Sequence, residues 1–274
     1  MFDFAGHLGN YSKNNTGRKR ESYEIFSDFN NSMTHLDTNQ IVKTRDCPHE
    51  HIVVQRMRIS DITDAVLSRG IRPDFQTMSG RMFDPRMFTI IFLSDDEMRQ
   101  VNRFKALKKQ IEWLCGRFAV KTLARDLLGL DMPLEEIRIA YREKGAPYLA
   151  QFPQVPISLS HSGNYTAAAI SLDPEIGVGI DIEKIGDMPT PSFMNTAFTK
   201  QEIAHMPAAA SAVFANWTLK EAFLKYLGLG FNESLHHVAV IDAQIFHHGK
   251  SQPVSTWQAV IDGRYALSLV YGKE

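Results

Sequence analysis

The chain has 274 residues, a formal net charge of −1, and 44% hydrophobic against 22% charged residues, the balance of a globular protein with one large domain or two small ones. Near-neutral charge removes any whole-molecule argument for nucleic acid as partner, and no apolar run approaches the roughly 18 residues of a membrane span, so neither nucleic acid nor membrane is expected. The two cysteines, Cys47 and Cys115, form no zinc spacing and no leader pattern opens the chain, so free thiols, a cytoplasmic location and a monomer are expected.

Residues 1–49 are polar, with few apolar positions in any period (GNYSKNNTGRKRES), and read as an extension that is mobile or lies over the surface. The alternation of HIVVQRMRI predicts a first strand over 51–59, and a short helix follows over 61–68. Residues 70–86 carry Gly, Pro and Asp and read as a loop before a strand over 87–93. Ser94 followed by Glu97 has the form of a capping box. Helical periodicity then runs over 97–130, with Ile111, Leu114, Cys115, Phe118 and Leu123 as the apolar face, a basic solvent side, and Gly129 at the end. A strand is expected over 136–141. Strands over 157–162 and 166–172 pair through Gly163-Asn164, and Asp173-Pro174 turns the chain.

Two pieces carry the chemistry. IGVGIDIEKI (176–185) alternates as a strand, with Val178, Ile180 and Ile182 on one face and Gly177, Gly179, Asp181 and Glu183 on the other. The glycines leave room for something bulky against the backbone. FANWTLKEAFLKYLGLG (214–230) reads as a helix whose apolar stripe is Ala215, Leu219, Ala222, Phe223 and Tyr226. Thr218, Glu221 and Lys225 share one sector of it, while Lys220 points elsewhere. Three carboxylates with a lysine suit a hard divalent cation holding a phosphate. Between the two pieces, Thr199 and Glu202 repeat the capping-box form. Strands follow over 237–246, 255–261 and 264–271, the last two joined by Asp262-Gly263. His236, His237, His247 and His248 lack tight ligand spacing and read as strand-end and loop residues.

The pair Val178-Gly179-Ile180-Asp181-Ile182-Glu183 and Trp217-Thr218-Leu219-Lys220-Glu221-Ala222-Phe223-Leu224-Lys225 resembles the signature of the Sfp-type 4′-phosphopantetheinyl transferases. The resemblance implies an α+β fold of two pseudo-duplicated α/β halves with antiparallel sheets, here 50–175 on the coenzyme A nucleotide side and 176–274 with the metal and catalytic motifs. It implies transfer of 4′-phosphopantetheine from coenzyme A to a serine of an apo-acyl, peptidyl or aryl carrier protein, with Mg²⁺ held by Asp181, Glu183 and Glu221. Lys225 would meet the leaving 3′,5′-ADP, and Glu221, Glu183 or a water would take the serine proton. For the coenzyme, the resemblance points to Arg117 in Gly116-Arg117 and to Ser160 and His161 in Ser160-His161-Ser162, toward the 3′-phosphate. It also points to Lys144 and Pro147 near the nucleotide, with Lys220 and Lys225 at the pyrophosphate. The family often carries Gly-Lys-Pro where this chain has Gly145-Ala146-Pro147, so Lys144 reads equally well as a turn lysine.

Overall fold

The structure, a computed structural model, describes residues 41–67 and 92–273. The expected loop over 70–86, and all but the last two residues of the expected strand over 87–93, lie outside them. The fold is α+β. An antiparallel four-stranded sheet has the order β1-β2-β6-β5, from β1 (Thr44–His49), β2 (Ile52–Arg58), β6 (Tyr165–Ser171) and β5 (Ile157–Ser162). A three-stranded antiparallel sheet has the order β11-β12-β7, from β11 (Ser255–Ile261), β12 (Tyr265–Lys273) and β7 (Ile176–Lys184). Hairpins β3/β4 (Ile139–Tyr141, Pro147–Leu149) and β8/β9/β10 (Val238–Ile241, Gln244–His247, Lys250–Ser251) complete the strands. The helices are α1 (Ile59–Leu67), α2 (Asp95–Val101), α3 (Leu107–Leu128), α4 (Pro191–Ala197), α5 (Lys200–His205) and α6 (Ala210–Tyr226). Helix α3 lies on β5 and β6, and α6 lies across β7 and β12.

Several expectations shift. The residues Thr44–His49, placed by composition in the polar extension, form the sheet edge against β2. The helical run over 97–130 breaks into α2 and α3, because Gln110 Nε2 turns back to the carbonyls of Val101 and Phe104 (3.2 and 3.1 Å) and stabilises the bend between them. Gly129 closes α3 in the left-handed region, φ 61°. The strand expected over 136–141 starts only at Ile139, after a 3₁₀ turn. The strand expected over 237–246 is a hairpin, folded back at Asp242 and Ala243 with φ 51° and 62°. The Asp262-Gly263 hairpin forms as expected, with φ 49° and 62°. Cys47 is exposed and Cys115 buried, both as free thiols, and burial pushes the Cys115 thiol well up.

A duplicated device stands in two places. In α2, Ser94 and Glu97 form a reciprocal capping box, and Glu97 also accepts from the buried Lys121 of α3 at 2.6 Å. Lys121 Nζ donates a second bond to the Phe92 carbonyl, 2.8 Å, two residues before the cap. In α5, Thr199 and Glu202 form the same box, and Glu202 accepts from the buried Lys220 of α6 at 2.8 and 3.0 Å. Lys220 Nζ likewise donates to the Ala197 carbonyl, 2.7 Å, two residues before the cap. Each long helix is thus tied to a short capped helix through a buried lysine–glutamate ion pair. Lys121 therefore leaves the solvent side to which its charge had assigned it.

The two sheets meet along β5 and β7. Ser158 Oγ accepts from the Ile180 amide (3.0 Å), Ser160 Oγ donates to Asp181 Oδ1 (2.7 Å), and Ser162 Oγ donates to Glu183 Oε2 (2.7 Å). Partners rise together in number, so the strands run in the same direction. Alternate serines of β5 replace the backbone ladder that would otherwise join them.

Candidate active site

Gly179 positions helix α6. A Cβ at Gly179 would stand 2.0 Å from the Ala222 carbonyl oxygen and 2.3 Å from the Tyr226 amide nitrogen. The bulky object for which the glycines leave room is therefore α6 itself, seated backbone to backbone on β7. This contact sets the rotation of α6. Thr218 Oγ1 lies 2.8 Å from Ser268 Oγ of β12, and Ser268 is the register partner of Asp181. One turn further on come Glu221 and then Lys225, as the helix face predicted.

Lys225 Nζ donates to Asp181 Oδ1 at 2.7 Å and reaches the Leu159 carbonyl at 3.4 Å. Asp181 and Glu221 are buried, and Asp181 Oδ2 and Glu221 Oε1 have no hydrogen-bond partner. A buried carboxylate oxygen without a partner carries a desolvation cost of about 1–3 kcal/mol or more. Burial pushes the Glu221 carboxyl up to about 7, and the charges of Asp181 and Glu183 add to the shift. Burial also raises Glu183, against the Ser162 hydrogen bond that lowers it. The carboxylates are thus charge-coupled, and two bare buried oxygens are the donor set that a hard cation completes. Asp181, Glu183 and Glu221 fit a divalent metal in this sense, although their donor atoms do not close to within 4.8 Å of one another.

The coenzyme-binding residues expected from the sequence divide. Lys144, Pro147 and Lys225 line one cleft of about 660 Å³, together with Arg142, Tyr148 and Gly177. Arg142, which sequence reasoning did not select, sits there over the Tyr148 ring at 5.1 Å. The Lys225 side chain, 28% exposed, joins this cleft to Asp181. His161 is on the opposite side of β5 from Ser160 and Ser162. Its ring faces α3, with Nδ1 3.8 Å from Glu112. Burial, then the charges of Lys109, Lys225 and Lys108, pull its pKa down to about 4.

Three of the expected residues are placed differently. Ser160 is buried and its hydroxyl donates to Asp181. Arg117 is 1% exposed. Its guanidinium lies 3.2 Å from the Trp113 ring centroid, donates to Tyr141 Oη at 2.7 Å and stands 3.5 Å from Glu97. Stacked and enclosed in this way, it offers no open face to a phosphate. Lys220 is fully buried on Glu202 and the Ala197 carbonyl, turned away from the cleft.

Residues 177–270 match the model of the 4′-phosphopantetheinyl transferase superfamily, and residues 85–172 match that of the 4′-phosphopantetheinyl transferase N-terminal region. The mouse L-aminoadipate-semialdehyde dehydrogenase-phosphopantetheinyl transferase is 29% identical over 155 residues, covering 50% of this chain and 49% of its own length. The Bacillus pumilus 4′-phosphopantetheinyl transferase psf-1 is 30% identical over 148 residues, 53% of this chain and 61% of its own length. The Bacillus subtilis 4′-phosphopantetheinyl transferase is 27% identical over 152 residues, 54% and 66%. The chain thus spans between about half and two thirds of the length of these relatives.

Proposed function

Because this chain belongs to the 4′-phosphopantetheinyl transferase superfamily, we propose that it transfers the 4′-phosphopantetheine group of coenzyme A to a serine hydroxyl of an apo-acyl or peptidyl carrier protein, releasing 3′,5′-ADP. The observation that carries this reading is the meeting of Lys225 with Asp181, beside two buried carboxylate oxygens that lack partners, at the edge of a basic cleft.

In this reading the diphosphate of coenzyme A lies at the Lys225 end of the cleft and the nucleotide lies along Lys144, Pro147 and Arg142. Asp181, Glu183 and Glu221 would hold Mg²⁺, which supplies charge neutralisation to the diphosphate oxygens. The serine oxygen bonds to the β-phosphorus as that phosphorus leaves the bridging oxygen of 3′,5′-ADP, so positioning and charge stabilisation dominate. Lys225 neutralises the charge that builds on the departing oxygen. Glu221 accepts the serine proton, directly or through water. Ser160 and Ser162 keep Asp181 and Glu183 in place. His161, with Lys109 beside it, takes the 3′-phosphate.

We read the chain as two halves, 50–175 and 176–274, each with a long helix tied to a short capped one. The paired Lys121–Glu97 and Lys220–Glu202 devices support that division.

The test is incubation with coenzyme A labelled in the pantetheine arm, with and without an apo-carrier. Carrier-dependent labelling of the serine supports transfer. Release of phosphopantetheine without a carrier would instead indicate a diphosphate hydrolase. Binding with neither product would indicate a non-catalytic module.

A further inference from the structure

Outside the active site, one carboxylate gathers three imidazoles. Glu233 follows α6, in the segment that leads to β8. Its Oε1 is 2.7 Å from His237 Nδ1, and its Oε2 is 3.3 Å from His247 Nε2 and 3.5 Å from His248 Nε2. The rings crowd together, with centroids 4.4 Å apart for His237 and His248 and 4.3 Å for His247 and His248.

The hairpin produces this convergence. Val238 pairs with His247 across β8 and β9, and the His248 amide donates to the His237 carbonyl at 2.8 Å. His248 and Gly249 then turn the chain with φ 49° and 75°. A side chain in the left-handed region is the less favoured choice where glycine or asparagine would serve. Here it brings the His248 ring against Glu233. The sequence hides the arrangement because the ligands come from two segments, and no fixed spacing joins them.

We propose that Glu233, His247 and His248 form a site for one borderline divalent transition-metal ion of the Zn²⁺ class, with His237 orienting the carboxylate from behind. Imidazole with carboxylate is a donor set that Zn²⁺ takes and Mg²⁺ does not favour. Donors 2.0–2.1 Å from a tetrahedral Zn²⁺ stand about 3.3–3.4 Å from one another. The two Oε2 separations, 3.3 and 3.5 Å, fall at that edge length. The longer of them is not a hydrogen bond. All three donor atoms lie within 4.8 Å of one another, a gap that small side-chain rotations close. His237, bonded to the other carboxylate oxygen, is the kind of outer partner that fixes a ligand's orientation. Three protein ligands leave a fourth position for water. Such an ion would clasp the segment after α6 to the β9–β10 turn. In the same segment Asn232 donates to the Lys144 carbonyl, 3.1 Å, at the rim of the cleft.

The experiment is calorimetric titration of the untagged, chelator-treated full chain with Zn²⁺, in excess Mg²⁺ to occupy the carboxylate site. One equivalent should bind, and at about a hundredfold excess over Kd the melting temperature should rise by about 5–10 °C. Glu233→Gln and the double variant His247→Asn, His248→Asn should each lose binding by at least about tenfold, and His237→Asn should lose somewhat less. Co²⁺ in the wild-type protein should give the intense visible bands of a tetrahedral site. The proposal is overturned by absence of saturable binding below about 1 mM, by binding that survives in the double variant, or by weak octahedral Co²⁺ bands. The Co²⁺ measurement uses no variant, so a substitution that fails to fold leaves the test intact.

Discussion

Gly179 and Ala222 touch through their backbones: a methyl group on the glycine would stand 2.0 Å from the Ala222 carbonyl oxygen. That one contact places Glu221 and Lys225 above Asp181. Gly179→Ala must push α6 off β7, at a cost of at least about 3 kcal/mol, the upper end of ordinary overpacking. Gly186→Ala is the control, because its added carbon would meet only Phe214 Cζ, at 3.8 Å. Thermal melts should show a large loss for Gly179→Ala and almost none for Gly186→Ala. Equal melting temperatures would mean that the helix does not depend on the glycine.

Glu221→Gln should stabilise the protein while it removes activity. The carboxylate is buried beside Asp181 and Glu183, with Oε1 unpartnered, and a neutral amide relieves that repulsion by about 0.5–2 kcal/mol, as often happens at functional sites. Melting temperature and transfer rate, measured without and with Mg²⁺, check this. A variant less stable than wild type without Mg²⁺ would show that Glu221 is a structural residue.

The buried lysines should behave differently from Lys225. Lys220→Met strips Glu202 of its ion-pair partner, and Lys121→Met leaves Glu97 with only Arg117, whose Nε stands 3.5 Å away. An uncompensated buried charge costs about 3–5 kcal/mol, and each kcal/mol lowers the melting point by roughly 2–4 °C. Both variants should melt much earlier, yet the Lys220 variant should keep its rate per folded molecule. If either melts like wild type, the duplicated device is not what joins the helices.

His161 gives a pH signature. Its pKa is drawn from 6.5 to about 4 by burial and by Lys109, Lys225 and Lys108. The unfolded chain therefore binds this proton first as pH falls. The group's contribution to stability is complete above 6.5 and is lost as pH drops from 6.5 toward 4. His161→Asn should remove that part of the acid sensitivity. The imidazole resonances should titrate near 4 in the free protein and move up when 3′,5′-ADP brings a phosphate to the ring. The same variant should weaken coenzyme A more than 3′-dephospho-coenzyme A. An unchanged titration on adding the nucleotide would remove His161 from the phosphate site.

The strand carrying Asp181 and Glu183 was legible because alternation of Val178, Ile180 and Ile182 is a local property. The face joining Glu221 and Lys225 was legible because 3.6-residue periodicity is local too. What depends on distant segments was not. Ser160 and Ser162 hold Asp181 and Glu183 only because β5 runs beside β7. Lys121 read as a solvent charge because composition assigns lysine to the surface, and Lys220 was expected at the pyrophosphate from the resemblance. The signal that could have found them was the second capping box, Thr199 with Glu202, matching Ser94 with Glu97. The edge strand Thr44–His49 escaped because its burial is partial and its pattern lacks apolar alternation. A truncated protein should accordingly begin before Ile41.

In the proposed reaction Lys225, drawn to Asp181 in the resting protein, meets the charge on the departing phosphate. Single-turnover transfer from coenzyme A to an apo-carrier by wild type and Lys225→Met tests it most directly. By analogy with removal of one oxyanion donor, the variant should lose about 2.7–4 kcal/mol of transition-state stabilisation, roughly a hundred- to thousandfold in rate. Its melting temperature should fall, because the buried Asp181 loses its ion-pair partner and keeps only Ser160, so the rate is read per folded molecule. Coenzyme A affinity should fall less than the rate. A Lys225→Met protein that is folded and transfers at near wild-type rate would contradict the account.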